Sequence, residues 1–186
     1  MPLQRTVYYL PGHGGQIATG LGKGLNDRGF HLEGRETRGE FRSMPFREQV
    51  DRVAEDVSDR FWSEHSLVVA NSYGAYLFLH AQTLLPPYIG RVLLLSPIVG
   101  EFKDVQSQRG FIPPRADVIL QLAKDGLMPA PKNCEAHVGS EDWQSLPENV
   151  CTLGSLLGFN VTIVPGAGHM LGKDYVGEVL DRWLPK

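Results

Sequence analysis

Leu67-Val68-Val69-Ala70-Asn71-Ser72-Tyr73-Gly74-Ala75-Tyr76 is the stretch on which the reading of this chain turns. Residues 66–70 are a short apolar run, and a continuous apolar run stopped by turn residues reads as a strand buried on both faces, the habit of parallel sheets. Residues 73–84 follow as a helix that is apolar nearly all round, so it too is expected to be buried. Only Asn71 and Ser72 separate the two patterns. The chain must therefore reverse sharply at Ser72, and Ala70 and Gly74 are small enough to leave room for such a turn.

The same rhythm extends outward. Apolar runs at 7–10, 30–32, 91–95, 135–138 and 161–164 mostly end at Gly or Pro: Pro11-Gly12, Ser96-Pro97, Gly139 and Pro165-Gly166. Between them, Phe46, Val50, Val53, Val57 and Phe61 share one helical face. A weaker helix is expected at 150–157, and a last amphipathic one through Tyr175, Val176, Val179, Leu180 and Trp183. Strand and helix alternate six times, which predicts one α/β domain over residues 1–186 with a parallel sheet and right-handed crossovers. Residues 100–131 fit least well. They hold Phe111-Ile112-Pro113-Pro114 and a helical pattern at 115–124 closed by Gly126. They read either as a short lid, with Phe102, Phe111, Ile112, Ile119 and Met128 over a pocket, or as a crossover helix with a long loop.

Composition narrows the function. The 186 residues include 21 Gly and 13 Pro, both above average, yet 42% are hydrophobic, so the chain is loop-rich rather than disordered. A net charge of −3 with scattered charges gives no nucleic-acid footprint. No apolar run approaches the roughly 20 residues of a membrane span. The N-terminal residues lead straight into a strand-like run, so no signal peptide is expected. Cys134 and Cys151 make no disulfide framework and read as thiols of a reducing compartment, which points to the cytoplasm. No pair of histidines and carboxylates stands at ligand spacing, so neither a metal nor another cofactor is expected.

Ser72 in small-x-Ser-x-small, between a strand and a helix, has the form of a nucleophile elbow. The turn lifts the hydroxyl clear of the sheet and sets it at a helix N-terminus, where free N–H groups favour developing negative charge. A serine needs a base. Of His13, His31, His65, His80, His137 and His169, His169 stands out: it follows the last strand's carboxyl end in a flexible loop, Val164-Pro165-Gly166-Ala167-Gly168-His169. His80 falls in a helix and His137 in a strand; His65 and His31 sit near strand starts. The base needs an orienting acid, and Asp142, with Glu141 as alternative, follows the strand before. The order is then Ser72, Asp142, His169. An oxyanion needs two N–H donors. Tyr73 offers one, and the loop Leu10-Pro11-Gly12-His13-Gly14-Gly15 offers the other, from His13 or alternatively Gly14. A phosphate-binding reading of that loop lacks the required glycine spacing.

Together these motifs resemble the α/β-hydrolase superfamily over nearly the whole chain. Leu10–Gly14 resembles the His-Gly-x-Gly oxyanion loop, with Pro11 replacing the usual His. Glu36-Thr37-Arg38-Gly39-Glu40-Phe41-Arg42-Ser43 resembles Asp-x-Arg-Gly-x-Gly-x-Ser, with Glu36 and Phe41 as departures, and Ala70 stands where the elbow commonly has Gly. The resemblance implies a three-layer sandwich on a mainly parallel six-stranded sheet, in the order 2-1-3-4-5-6, lacking the two N-terminal antiparallel strands. It implies hydrolysis of a small-molecule carboxylic ester or thioester through a serine acyl-enzyme. The alternatives are a catalytically inactive binding protein of the same fold, or an acyltransferase or peptidase using the same triad.

Overall fold

The computed structural model describes residues 5–104 and 108–186; the first residues, on which the expectation about a signal peptide partly rests, lie outside these. The chain runs β1 (Thr6–Leu10), α1 (Leu21–Asn26), β2 (His31–Gly34), α2 (Gly39–Ser43), α3 (Phe46–Arg60), β3 (Leu67–Asn71), α4 (Tyr73–Gln82) and β4 (Arg91–Leu95). It continues with β5 (Phe102–Asp104), β6 (Arg109–Phe111), α5 (Val118–Lys124), β7 (Asn133–Gly139), α6 (Pro147–Leu157), β8 (Asn160–Val164) and α7 (Lys173–Trp183).

One six-stranded sheet has the order β2-β1-β3-β4-β7-β8, and every neighbouring pair in it is parallel. With β5 and β6 set aside, this is the expected 2-1-3-4-5-6. Strand alternation sends side chains to two faces. Tyr8, Leu10, Val68, Ala70, Val92, Leu94, Ala136 and Val138 pack with residues of α3, α4, α5 and α6. Val7, Tyr9, Leu67, Val69, Leu93 and Leu95 pack with Leu25 of α1 and with Val179, Leu180 and Trp183 of α7. Both faces are thus covered, which is why these strands read as unbroken apolar runs.

The strand order also aligns the sheet's carboxyl ends. Ala70 pairs with Leu10 on one side and with Leu94 on the other, so the turns after β1, β3 and β4 open on one edge. The expected helix at 115–124 begins later, at Val118, because Pro113 and Pro114 donate no backbone N–H and Arg115 takes a left-handed φ of 60°. The antiparallel β5–β6 hairpin within residues 100–131 was not anticipated. Nor were α1 and α2, which are short and contain glycine, a poor helix former. Ile119 and Met128 lie buried in the core, so of the residues proposed to cover a pocket these two pack inward instead.

Candidate active site

Ser72 occupies the turn between β3 and α4 with φ 51° and ψ −119°, a conformation that L-residues rarely adopt. Its surroundings hold it there. Its N–H donates to the Leu95 carbonyl at 3.0 Å, and its own carbonyl accepts from Ile98 and Tyr76. A Cβ at Gly74 would stand 2.2 Å from the Leu10 oxygen and 2.5 Å from that of Pro11. The small residue after the serine is therefore required by the end of β1, which passes beneath the turn.

Ser72 Oγ lies 2.8 Å from Nε2 of His169. Nδ1 of His169 lies 3.0 Å from both carboxylate oxygens of Asp142. The Asp142 side chain is wholly enclosed, while that of His169 is 15% exposed. Asp142 Oδ1 also accepts the N–H groups of Gln144 at 2.9 Å and Ser145 at 2.8 Å. Two loops meet to make this arrangement. The Ser140 N–H donates to Val164, the Glu141 N–H donates to Ala167, and the Gly166 N–H donates to Ser140 Oγ. Gly139 lets them approach, since a Cβ there would lie 2.1 Å from the Ala167 oxygen. Glu141, the alternative acid, is exposed.

Ser145 was not singled out in the sequence. Its buried hydroxyl donates to the Ser96 carbonyl at 2.5 Å and lies 3.4 Å from His169 Nδ1, tying the acid loop to the end of β4. Its place three residues after an Asp, in a turn before a helix, is the one local signal that would have found it.

Thr37 was likewise passed over. Its hydroxyl donates to the Gly12 carbonyl and accepts the Gly15 N–H at 3.1 Å, and its carbonyl accepts the Gly14 N–H at 2.9 Å. The Gly14 N–H, the alternative oxyanion donor, is therefore engaged. Among the described residues, the N–H groups of His13 and Tyr73 have no acceptor. Gly12 brings this loop against Ser72, because a Cβ there would meet Ser72 Cβ at 3.2 Å.

The other histidines are accounted for locally. His80 is buried edge-on against Tyr76 and Phe46; burial, with Arg115 nearby, pushes its pKa down to about 4. His137 is buried between Tyr175 and Glu135, and burial lowers its pKa although Glu135 opposes this. His31 and His65 are exposed. The His13 ring stands edge-on to Tyr73, with its pKa lowered by burial and by Arg42.

Phe102 contacts Trp143, the residue after Asp142, with ring centroids 5.7 Å apart, and also touches Phe111. The hairpin thus reaches the acid loop. Phe111, Ile112 and Met170 remain exposed. A groove of about 660 Å³ between β7, β8 and α7 is lined by Glu135, His137, Tyr175 and Arg182, among others, and by none of Ser72, Asp142 and His169.

No protein-family model and no curated protein matches this sequence. Solved structures do match it. Alpha/beta hydrolase domain-containing protein 10 from mouse superposes with a TM-score of 0.68 at 10% identity, over 94% of this chain and 86% of that one. A structure from work on carboxylesterases of the thaumarchaeon Nitrososphaera gargenis gives 0.63 at 13% identity, over 96% and 88%. An uncharacterized protein from Bacillus cereus gives 0.63 at 14% identity over 96% of this chain, which spans only 58% of that one. Among the described residues, no helix is long and apolar enough to cross a membrane. The strand order, the parallel pairing and these superpositions together establish that the chain has the α/β-hydrolase fold, in a reduced form with a six-stranded sheet.

Proposed function

We infer that this chain is a serine hydrolase that cleaves a small-molecule carboxylic ester or thioester through an acyl-enzyme. The observation that carries the reading is the unbroken hydrogen-bonded series Ser72–His169–Asp142. In the reaction, His169 Nε2 takes the Ser72 hydroxyl proton as Oγ attacks the substrate carbonyl. The oxyanion of the tetrahedral intermediate accepts from the free N–H groups of His13 and Tyr73. The intermediate collapses, the alcohol or thiol leaves with the proton held by His169, and the acyl group stays on Ser72. Water deprotonated by His169 then releases the acid. Asp142 holds the imidazole with Nδ1–H toward it and balances the positive charge that forms.

Within residues 100–131 the exposed Phe111 and Ile112, beside Phe102 on Trp143, serve in this reading as a short lid, while α5 packs into the core. The unpaired Cys134 and Cys151 suit a reducing compartment such as the cytoplasm. That a structural neighbour comes from work on carboxylesterases supports the ester-hydrolase class. Fluorophosphonate labelling tests the assignment: the wild type labels and Ser72→Ala does not. An unlabelled wild type, or a labelled Ser72→Ala, overturns it. A panel of p-nitrophenyl and acyl-CoA esters separates the hydrolase from a binding protein of the same fold, which turns over none of them.

A further inference from the structure

We propose that Thr37 is a positioning residue for the oxyanion hole, holding the 11–15 loop so that the His13 N–H alone faces the substrate. This rests on the hydrolase reading above. The motivation is where the loop's hydrogen bonds go. Of its three successive amides after Gly12, the Gly14 N–H ends on the Thr37 carbonyl and the Gly15 N–H is shared between the Thr37 hydroxyl and the Gly12 carbonyl. The Thr37 hydroxyl in turn donates to the Gly12 carbonyl. One residue thus binds the loop at positions 12, 14 and 15, and leaves position 13 with a free donor between fixed neighbours.

Three further facts make this a built arrangement. Thr37 is buried, with 1% of its surface exposed. The adjacent Glu36 carboxylate accepts the Ile17 N–H at 3.2 Å, so the same segment secures the loop's exit as well. Gly12, to which the Thr37 hydroxyl donates, packs against Ser72 itself, so a shift of the loop moves the donor relative to the nucleophile. A backbone donor contributes to catalysis only when it is already aimed at the place where negative charge develops. The glycines at 12, 14 and 15 make the loop flexible on its own. Thr37 supplies the aim that the loop's composition lacks.

The test uses Thr37→Val, which keeps the shape and removes the hydroxyl, and Thr37→Ser, which keeps the hydroxyl. With a p-nitrophenyl ester, Thr37→Val is expected to lower kcat about 30-fold with KM within about threefold of wild type, somewhat less than deletion of a whole oxyanion donor. Its fluorophosphonate labelling rate is expected to fall in parallel, and Thr37→Ser to restore both. Should Thr37→Val fail to fold, Thr37→Ala carries the same expectation. A folded hydroxyl-free variant with wild-type kcat and only a lowered Tm overturns the positioning role and leaves the hydrolase reading intact. A wild type that neither labels nor turns over ester overturns the hydrolase reading and the positioning role with it. Amide exchange separates the clamp from the chemistry in that case: faster exchange at Gly15 in Thr37→Val shows the loop restraint, and unchanged exchange shows that none exists.

Discussion

Asp142 faces Nδ1 of His169 with both oxygens and, through Oδ1, accepts two backbone N–H groups of the turn that follows it. An amide in its place presents an NH2 to one side or the other, against an N–H of the turn or of the ring. Asp142→Asn is therefore expected to reduce ester turnover by about 10⁴-fold while the far-UV spectrum stays native, since the wrong imidazole tautomer is then favoured. Turnover within tenfold of wild type would remove Asp142 from the mechanism. Gly139 carries a constraint of another kind. A Cβ there would lie 2.1 Å from one backbone oxygen and 2.4 Å from the next, those of Ala167 and Gly168. Backbone cannot yield as a side-chain tip does, so Gly139→Ala is expected to push the histidine loop away from Ser72. Its expected cost is about 3 kcal/mol or more in denaturant unfolding, with loss of labelling in whatever folds.

At the scale of elements, α3 is fastened to the sheet by one carboxylate. Asp56 takes two bonds from Arg35, one from Tyr8 of β1 and one from Arg60. Burial opposes its ionisation, but the Arg35 guanidinium, the Tyr8 hydroxyl and Arg60 outweigh it and hold the carboxyl below its ordinary 3.8. Asp56→Asn leaves Arg35 without its main partner. About 1–3 kcal/mol of stability is expected to be lost in urea titration, less than for a fully buried pair because Asp56 is buried while the Arg35 side chain is 34% exposed and partly screened by solvent.

His80, in the last turn of α4, sets the acid behaviour. Its folded pKa of about 4 lies below its unfolded 6.5, so the unfolded chain binds the proton first. Stability is then full above pH 6.5 and falls between pH 6.5 and 4. His137, lowered in the same direction, adds to this limb, and Asp56 adds a further loss below pH 3.8. His80→Gln is expected to flatten the upper limb when Tm is followed against pH, and an unchanged slope would assign the limb elsewhere.

For the whole molecule, two apolar layers share one sheet, and neighbouring residues of each strand belong to opposite layers. Neither layer can be exposed without losing the strands that support the other. Calorimetry of the 186-residue chain is expected to show one transition with equal calorimetric and van't Hoff enthalpies, about 130 kcal/mol at about 0.7 kcal/mol per residue. Two resolved transitions would show that residues 100–131, or one layer, unfold separately.

Much of this was legible along the chain. The central strands read correctly because parallel strands buried on both faces must be apolar throughout, as Leu67–Asn71 and Arg91–Leu95 are. Ser72, Asp142 and His169 could be named because each follows a strand's carboxyl end, where local composition marks the turn, although β8 before His169 is an edge strand with no buried residue. The helices α1 and α2 and the β5–β6 hairpin were not legible, since they are short and lack a periodic face. Thr37 was invisible for a different reason: its partners Gly12, Gly14 and Gly15 are distant in sequence, and Ser145, marked locally only by Asp142 three residues before it, has its bond to Ser96 equally far away.

The strand order was implied only by the family resemblance, while the sequence by itself determined the alternation of strands and helices and the three residues whose chemistry makes a triad possible. These are local patterns, set by burial and by turn chemistry. Only the tertiary structure decided that Ser72, His169 and Asp142 meet within hydrogen-bond distance. It also decided that Gly74 is needed because of β1, and that the His13 N–H is left free while Gly14 and Gly15 are held. Those outcomes depend on which loops the sheet brings side by side, and hydrogen bonds across such gaps leave no periodic trace in the chain.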